Sequence, residues 1–142
     1  MKIDIFTHVM PKKYKELLYK HSNKFATEKA VQDRWPVLWD NEARLAKLEP
    51  YDGLVQILST TMPPVEEIVG PEEAAQLARI ANDEMAEMVA QNPGKYIAAI
   101  ASIPLNNMDA ALKEAERTIK DLGFKGIQIY TRVMASPQAR RR

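Results

Sequence analysis

The sequence predicts an α/β fold in which parallel strands are joined by helical crossovers. Short apolar segments alternate with segments of helical periodicity along the 142 residues. The segments at residues 54–58, 96–103 and 126–130 are apolar on both faces, as are strands that helices cover on a parallel sheet. They follow one another at intervals of about 30–40 residues, the size of a βα unit. Together these observations favour a sheet built from successive strand–helix units.

The first third of the chain predicts one strand, two helices and an irregular excursion. Residues 2–6 form a short apolar strand, and residues 12–20 have the periodicity of a helix. Residues 21–39 show no clean period, so we expect irregular structure there with at most a short hairpin. Asp40 is a candidate N-cap for a helix over residues 41–48.

The remainder alternates regularly between helix and strand signals. Pro71 opens a long helix over residues 72–91. Asn107 or Asp109 caps a further helix, and Gly123 follows its end. The alternation stops after the fourth strand, so we expect four strands with three complete crossovers. That number cannot close an eight-stranded barrel by itself.

Composition excludes several classes of function. A net charge of +1 argues against general binding to nucleic acid or a membrane surface. No segment approaches the ~20 apolar residues of a membrane span, and the N-terminus lacks the apolar stretch of a signal peptide. The absence of cysteine excludes disulfides, thiolate metal sites and a cysteine nucleophile. We therefore expect a soluble, cytoplasmic protein without nucleic-acid or membrane partners.

His8 is the residue whose position best suggests chemistry. It follows the first predicted strand directly, at the end where parallel barrels bind their ligands. Spacing alone leaves two interpretations open, a hydrogen-bonded structural histidine and a metal ligand, and favours the first. The second histidine, His21, lies near a predicted helix end, where a solvated side chain is expected. Two histidines fall short of the three or four protein ligands of a zinc site.

Three acidic residues lie within or after the predicted strands: Asp4 in the first, and Glu66 and Glu67 after the second. Side chains alternate along a strand, so Asp4 is expected to point the same way as Phe6 and His8. An acid within a strand is costly unless it is paired, which predicts that Asp4 orients a neighbour or binds backbone amides. Glu66 and Glu67 are expected to be solvated or early helix-turn charges.

A family resemblance rests on motifs spread along the chain. The chain opens with Asp4-Ile5-Phe6-Thr7-His8 and has a proline at position 11. Further matching segments lie at residues 55–60, 82–86, 93–96, 103–105 and 121–131. In this order they resemble the N-terminal half of amidohydrolase-related TIM barrels of the aminocarboxymuconate-semialdehyde decarboxylase type, whose first strand carries Asp-x-His-x-His. The resemblance covers residues 1–131, and residues 132–142 are expected to form a divergent basic tail.

The resemblance implies the first half of a (β/α)₈ TIM barrel, about four strands, that binds one divalent metal. In the family this metal is usually zinc and in some members manganese. His8 matches the second histidine of the motif and would be a metal ligand. Phe6 stands at the first and cannot ligate, so the metal is held by fewer ligands or is absent from this chain. Ser59, Thr60 and Tyr130, at the carboxyl ends of strands two and four, would line the substrate side.

Two functional hypotheses remain open at this point. The first is a metal-dependent decarboxylase or hydrolase of a small carboxylated or carbonyl substrate, of which this chain is a truncated half that is inactive alone. Three origins of such a truncation are open: a naturally short protein, a shifted reading frame, or deliberate shortening. The second is a non-catalytic α/β half-barrel that covers its open edges by self-association. Under either hypothesis we expect a homo-oligomer.

Overall fold

The computed structural model describes residues 1–130 and shows one parallel sheet with helical crossovers. Its strands, in spatial as in chain order, are β1 (Lys2–Val9), β2 (Leu54–Thr60), β3 (Tyr96–Ser102) and β4 (Gly126–Gln128). The helices are α1 (Lys12–Leu18), α2 (Ala26–Asp33), α3 (Asn41–Leu48), α4 (Val65–Ile68), α5 (Pro71–Gln91) and α6 (Met108–Lys120). The sheet curls into a half-barrel, which confirms the predicted fold class. The expected basic tail at 132–142 lies outside the described residues.

The excursion between α1 and α3 is helical, so the expectation of irregular structure with a hairpin is wrong. A 3₁₀ helix covers Tyr19–Lys24, α2 follows, and a second 3₁₀ turn covers Pro36–Leu38. These pieces are eight residues long or shorter, and α2 fully buries only Gln32. Because so few side chains face the core, no apolar period is visible in the sequence.

The expected caps set the starts of α3 and α6. Asp40 accepts a hydrogen bond from the Ala43 amide at 3.0 Å, and Asn107 accepts one from Ala110 at 3.1 Å. Gly123 ends the α6 segment with a φ of +70°, a conformation that favours glycine. α3 and α6 therefore begin where the local sequence predicts.

The start of α1 is held by a residue from another helix. α1 has no side-chain cap of its own, but Glu84 of α5 accepts hydrogen bonds from the amides of Lys13 at 3.0 Å and Tyr14 at 2.8 Å. A carboxylate at this position also complements the positive end of the helix. The segment that leaves β1 is thereby fixed to α5.

An extra residue in β1 changes which side chains share a face. Asp4 pairs with Gln56 and Thr7 with Leu58, so three steps along β1 match two along β2. Asp4 and Thr7 therefore face the helices, and His8 faces the opposite side. The expectation that Asp4 points the same way as His8 is wrong, because strict alternation fails at a bulge.

The core lies between the sheet and its helices. One cluster joins the sheet to α5 and α6 and includes Leu58, Met85, Tyr96, Ala99 and Phe124. A second joins α1, α4 and α5 and includes Met10, Tyr14, Val65, Leu77 and Ala81.

Within residues 1–130, no helix has the combination of length and apolar character needed to cross a membrane.

Candidate functional site

The site residues expected from the sequence lie at the carboxyl ends of the strands. His8 is near the end of β1, Ser59 and Thr60 end β2, and Tyr130 follows β4. Parallel strands place these ends at one edge of the sheet, where barrels of this kind bind ligands. The structure links the four residues in two pairs, His8 with Ser59 and Tyr130 with Thr60.

The contact with Ser59 sets the tautomer of His8. His8 Nδ1 lies 3.0 Å from Ser59 Oγ, and Ser59 Oγ donates to the Thr7 carbonyl at 2.7 Å. A serine hydroxyl has one proton, so Ser59 accepts from a protonated Nδ1. Nε2 then carries the lone pair of the ring, which is the form of imidazole that binds metals.

The surroundings of His8 favour the neutral imidazole. Burial lowers the pKa of His8, and the Arg44 charge acts in the same direction, while a hydrogen bond with the Thr60 backbone and the Asp4 carboxylate oppose them. The Phe6 ring meets the imidazole edge-on, with ring centroids 4.9 Å apart. Phe6 therefore packs beside His8 and supplies no ligand atom.

A buried arginine, which sequence reasoning missed, supports this end of β1. Arg44 is 7% exposed and donates from Nη1 to the carbonyls of His8 at 2.9 Å and Val37 at 2.8 Å. Its Nε donates to Gln56 Oε1 at 2.9 Å, and Gln56 in turn donates to Asp4 at 3.2 Å. A glutamine within the apolar run of β2 was the available signal, because a buried amide needs partners.

Asp4 has the structural role expected of it. One carboxylate oxygen accepts from the Phe6 amide at 3.1 Å and the other from Gln56 Nε2. The carboxylate therefore holds the bulge and continues the Arg44–Gln56 network.

Tyr130 ties the end of β4 back to β2. Its hydroxyl donates to the Thr60 carbonyl at 3.2 Å, and burial raises the pKa of Tyr130 to about 12. Nearby, Asn106 Oδ1 and Gln128 Oε1 are buried acceptors that lack a hydrogen-bond donor among residues 1–130. The edge of the sheet thus holds neutral donors and acceptors at neutral pH.

Glu66 is buried at the same end of the sheet and stands in the first turn of α4, so of the two expectations the helix-turn position is confirmed and the solvated charge is wrong. It lies in α4, directly after β2, and is 6% exposed. Asn106 donates to its carbonyl at 3.4 Å and to that of Val69 at 3.1 Å, which fastens α4 to the loop after β3. Burial is the main cause that raises the pKa of the Glu66 carboxyl, and the Glu67 charge adds to it. Its position just after a strand end was the signal.

Glu66→Gln is expected to remove a pH-dependent loss of stability. Because its pKa is raised in the folded chain, the folded state binds more protons than the unfolded state above the ordinary value of 4.5. Stability therefore falls as the pH rises from 4.5 through the folded pKa. In urea unfolding between pH 4 and pH 8, the free energy of unfolding of the variant should rise relative to that of the wild type as the pH rises. Glu72→Gln, on the exposed first turn of α5, is the control; equal pH profiles for both variants would contradict the assignment.

The described residues do not by themselves form a metal site. A metal ion held by protein takes three or more ligands, and residues 1–130 contain no group of three His, Cys, Asp or Glu side chains placed to bind one. His21 bonds to Glu73 at 2.8 Å and belongs to the helical excursion. His8 is thus a single candidate ligand with a suitable lone pair.

A groove of about 630 Å³ lies on the helix side of the sheet, between α1, α3 and α5. Two of the charged groups that line it, Lys15 and Glu84, already make contacts within the fold. Lys15 Nζ lies 3.9 Å from the centre of a Trp39 ring, and Glu84 binds the first amides of α1. His8 and Ser59 do not line this groove, so we assign the candidate site to the strand ends.

Comparisons with known proteins agree on one family. A family model described as amidohydrolase matches residues 3–142. The 2-amino-3-carboxymuconate-6-semialdehyde decarboxylase of Dictyostelium discoideum is 28% identical over an alignment of 148 positions, which covers 94% of this chain and 41% of that protein. The chain therefore spans about two fifths of the length of this relative.

Solved structures of decarboxylases share the fold. A 2,6-dihydroxybenzoate decarboxylase in complex with 2,6-dihydroxybenzoate superimposes with a TM-score of 0.70 at 32% identity, covering 89% of this chain and 38% of that one. A dihydroxybenzoic acid decarboxylase from Polaromonas sp. JS666, with bound manganese and 2-nitroresorcinol, gives a TM-score of 0.70 at 30% identity, covering 89% and 37%. The likeness thus covers most of this chain and less than two fifths of each of these neighbours.

Proposed function

This chain belongs to the amidohydrolase family, and we propose on that basis that it supplies half of the active site of a decarboxylase acting on small aromatic carboxylates. The similar proteins named above are decarboxylases, which supports decarboxylation over hydrolysis. The observation that carries the proposal is the His8–Ser59 pair, which presents an imidazole lone pair at the ligand edge of the sheet.

In this proposal His8 is one ligand of a divalent metal. The resemblance favours zinc, whereas the Polaromonas neighbour holds manganese, so both ions belong in the test. Ser59 is then the group that orients the ligand, since its hydroxyl fixes the His8 tautomer. Thr60 and Tyr130 would line the substrate side, and the hydrogen bond from the Tyr130 hydroxyl to the Thr60 carbonyl joins the end of β2 to the end of β4.

The second candidate is a non-catalytic half-barrel that associates with itself. Phe6 favours it, because a phenyl ring fills a position where the family motif has a ligand. The two candidates differ in what Phe6→His should do. In a metal site the change adds a second imidazole beside His8 and should strengthen metal binding. In a non-catalytic scaffold it alters an exposed side chain and should leave metal binding unchanged.

Metal retention and carboxylate binding on four proteins separate the two candidates. The proteins are the wild type, His8→Ala, Phe6→His and the control His21→Ala, each incubated with Zn²⁺ or Mn²⁺ and desalted. We expect Phe6→His to retain the most metal, His8→Ala to retain none, and His21→Ala to match the wild type, by mass spectrometry of the metal. Calorimetry with 2,6-dihydroxybenzoate should show metal-dependent binding that follows the same order.

The proposal fails if Phe6→His and the wild type retain no more metal than His8→Ala. The same is true if dihydroxybenzoate binds equally well with and without metal. Either result would favour the non-catalytic half-barrel.

A further inference from the structure

The bulge in β1 decides which side of the sheet His8 faces. Asp4 faces the helices, and with strict alternation His8, four positions later, would face them as well. The register of β1 on β2 shifts by one residue between Asp4 and Thr7, so His8 pairs with Ser59 and faces away from the helices. Bulges beside active sites re-aim side chains in this way. The His8–Ser59 contact therefore requires the bulge.

Side chains hold the β1 backbone on both sides of the bulge. Before it, Asp4 Oδ1 accepts a hydrogen bond from the Phe6 amide at 3.1 Å. After it, Arg44 Nη1 reaches from α3 and donates to the His8 carbonyl at 2.9 Å. The backbone from Phe6 to His8 is thus fixed at each end.

Gln56 joins these two groups through a single amide. Its Oε1 accepts from Arg44 Nε at 2.9 Å, and its Nε2 donates to Asp4 Oδ2 at 3.2 Å. Gln56 is 8% exposed and Arg44 is 7% exposed, so the hydrogen bond between them is shielded from water. The amide places its oxygen toward the cation and its nitrogen toward the anion, and the opposite orientation would lose both bonds. We call Asp4, Gln56 and Arg44 the β1 network.

The β1 network acts on His8 through the backbone. Its members come from β1, β2 and α3 and lie on the helix side of the sheet, whereas the imidazole lies on the other side. Their charges act on the imidazole in opposite directions, because Arg44 lowers the pKa of His8 and Asp4 raises it. The two charges therefore partly cancel, and the position of the β1 backbone is the main thing that the network supplies.

We propose that the members of the β1 network are positioning residues that hold His8 on the ligand side of the sheet, with its Nε2 lone pair free to bind a metal. The network fixes the bulge, the bulge sets the register with β2, and the register brings Ser59 Oγ to His8 Nδ1. This inference rests on the proposed function for the role of His8 as a ligand. Its effect on the imidazole can nevertheless be measured without metal.

Variants that reverse the polarity of the network test this role. Asp4→Asn loses one hydrogen bond whichever way the new amide turns, and Gln56→Glu sets two carboxylates against each other. In the double variant, the carboxylate at position 56 accepts from Arg44 and from the amide at position 4, so every bond is restored at unchanged net charge. Asp52→Asn, exposed in the turn before β2, is the control for the loss of one charge. Asn82→Ala is the control for lost stability, since its hydrogen bonds lie at the end of β3.

Nuclear magnetic resonance of the imidazole nitrogens reports the tautomer of His8 at about pH 8, where an imidazole is neutral. His21, the other histidine of the chain, is the internal reference. In each single variant we expect the ratio of the Nδ1–H form to the Nε2–H form of His8 to fall at least ~5-fold, as for the loss of one hydrogen bond. The double variant and both controls should match the wild type.

Metal retention provides the second measurement. In the Phe6→His background, the single variants should bind Zn²⁺ or Mn²⁺ about 10-fold or more weakly, and the double variant should recover, because groups behind a metal ligand affect its affinity to this extent. If Phe6→His binds no metal while the tautomer still follows the network, the proposed function fails and the positioning role stands.

Three results would overturn the positioning role. The first is a wild-type His8 spectrum in either single variant that is folded by circular dichroism. The second is a double variant that is unfolded or keeps an altered spectrum, and this result decides alone where a single variant does not fold. The third is an equal change in the His8 spectrum of Asn82→Ala, because general loss of stability would then explain the effect.

Discussion

Asn82→Ala is expected to lower the free energy of unfolding by about 3 kcal/mol. The Asn82 side chain is fully buried in α5 and makes three hydrogen bonds. Its Nδ2 donates to the Ser102 carbonyl at 2.9 Å and to Glu114 Oε1 at 2.8 Å, and its Oδ1 accepts from the Ser102 amide at 2.9 Å. Removing the amide deprives both backbone groups of Ser102, at the carboxyl end of β3, of this buried partner, and each buried group left unsatisfied costs about 1–3 kcal/mol.

Urea unfolding at one fixed protein concentration measures the effect, since association alters apparent stability. Gln76→Ala, an exposed amide on the same helix, is the matched control and should change stability by less than about 0.5 kcal/mol. Asn82→Asp should be worse than Asn82→Ala, because it places a carboxylate oxygen against Glu114 and the Ser102 carbonyl. Equal losses for Asn82→Ala and Gln76→Ala would show that the three hydrogen bonds contribute little.

Arg44→Met is expected to lower the free energy of unfolding by about 3–4 kcal/mol, because buried acceptors are left without a donor. Methionine retains much of the volume of the side chain but donates no hydrogen bond. The carbonyls of His8 and Val37 and the amide oxygen of Gln56 would each lose a buried donor. Burial lowers the pKa of Arg44, which indicates that desolvation offsets part of what these bonds contribute.

Arg79→Met is the control, since Arg79 lies on α5 with a side chain that is 61% exposed. We expect little change there, because exposed ion pairs contribute at most about 1 kcal/mol. Arg44→Lys should rescue only part of the loss, because an ammonium cannot reproduce the fork that reaches three acceptors. If Arg44→Lys had the same free energy of unfolding as the wild type, a positive charge would be enough at this position and the three hydrogen bonds of the guanidinium would not be needed.

The alternation of strands and helices could be predicted because the strands are apolar on both faces and so form continuous apolar runs in the sequence. The boundaries of α3 and α6 followed from Asp40 and Asn107, whose capping bonds are local. α2 escaped detection because it touches the core with few residues. The orientation of Asp4 could not be predicted, since the register shift in β1 depends on pairing with β2.

For the candidate site, too, local sequence predicts which residues lie at the strand ends, but not which of them are in contact. His8 and Ser59 could be named from their strand ends, but their 3.0 Å contact depends on the register between strands 51 positions apart in sequence. Arg44 and Glu66 were missed because their burial is decided by distant elements. A charged side chain in a short helix is expected to be solvated, because charged residues are mostly exposed unless they are paired. Only the tertiary structure shows which ones are buried.

Three successive residues of α5 bind three different parts of the molecule. Asn82 holds the end of β3, Asp83 Oδ1 lies 2.7 Å from Arg117 Nη1 of α6, and Glu84 binds the first amides of α1. Successive helical positions differ by about 100° in direction. One residue inserted or deleted earlier in α5 would turn all three side chains away from their partners at once. The rotational position of α5 about its own axis therefore decides whether these three contacts form together. We expect a single-residue insertion or deletion in α5 to destabilise the half-barrel more than a single substitution there.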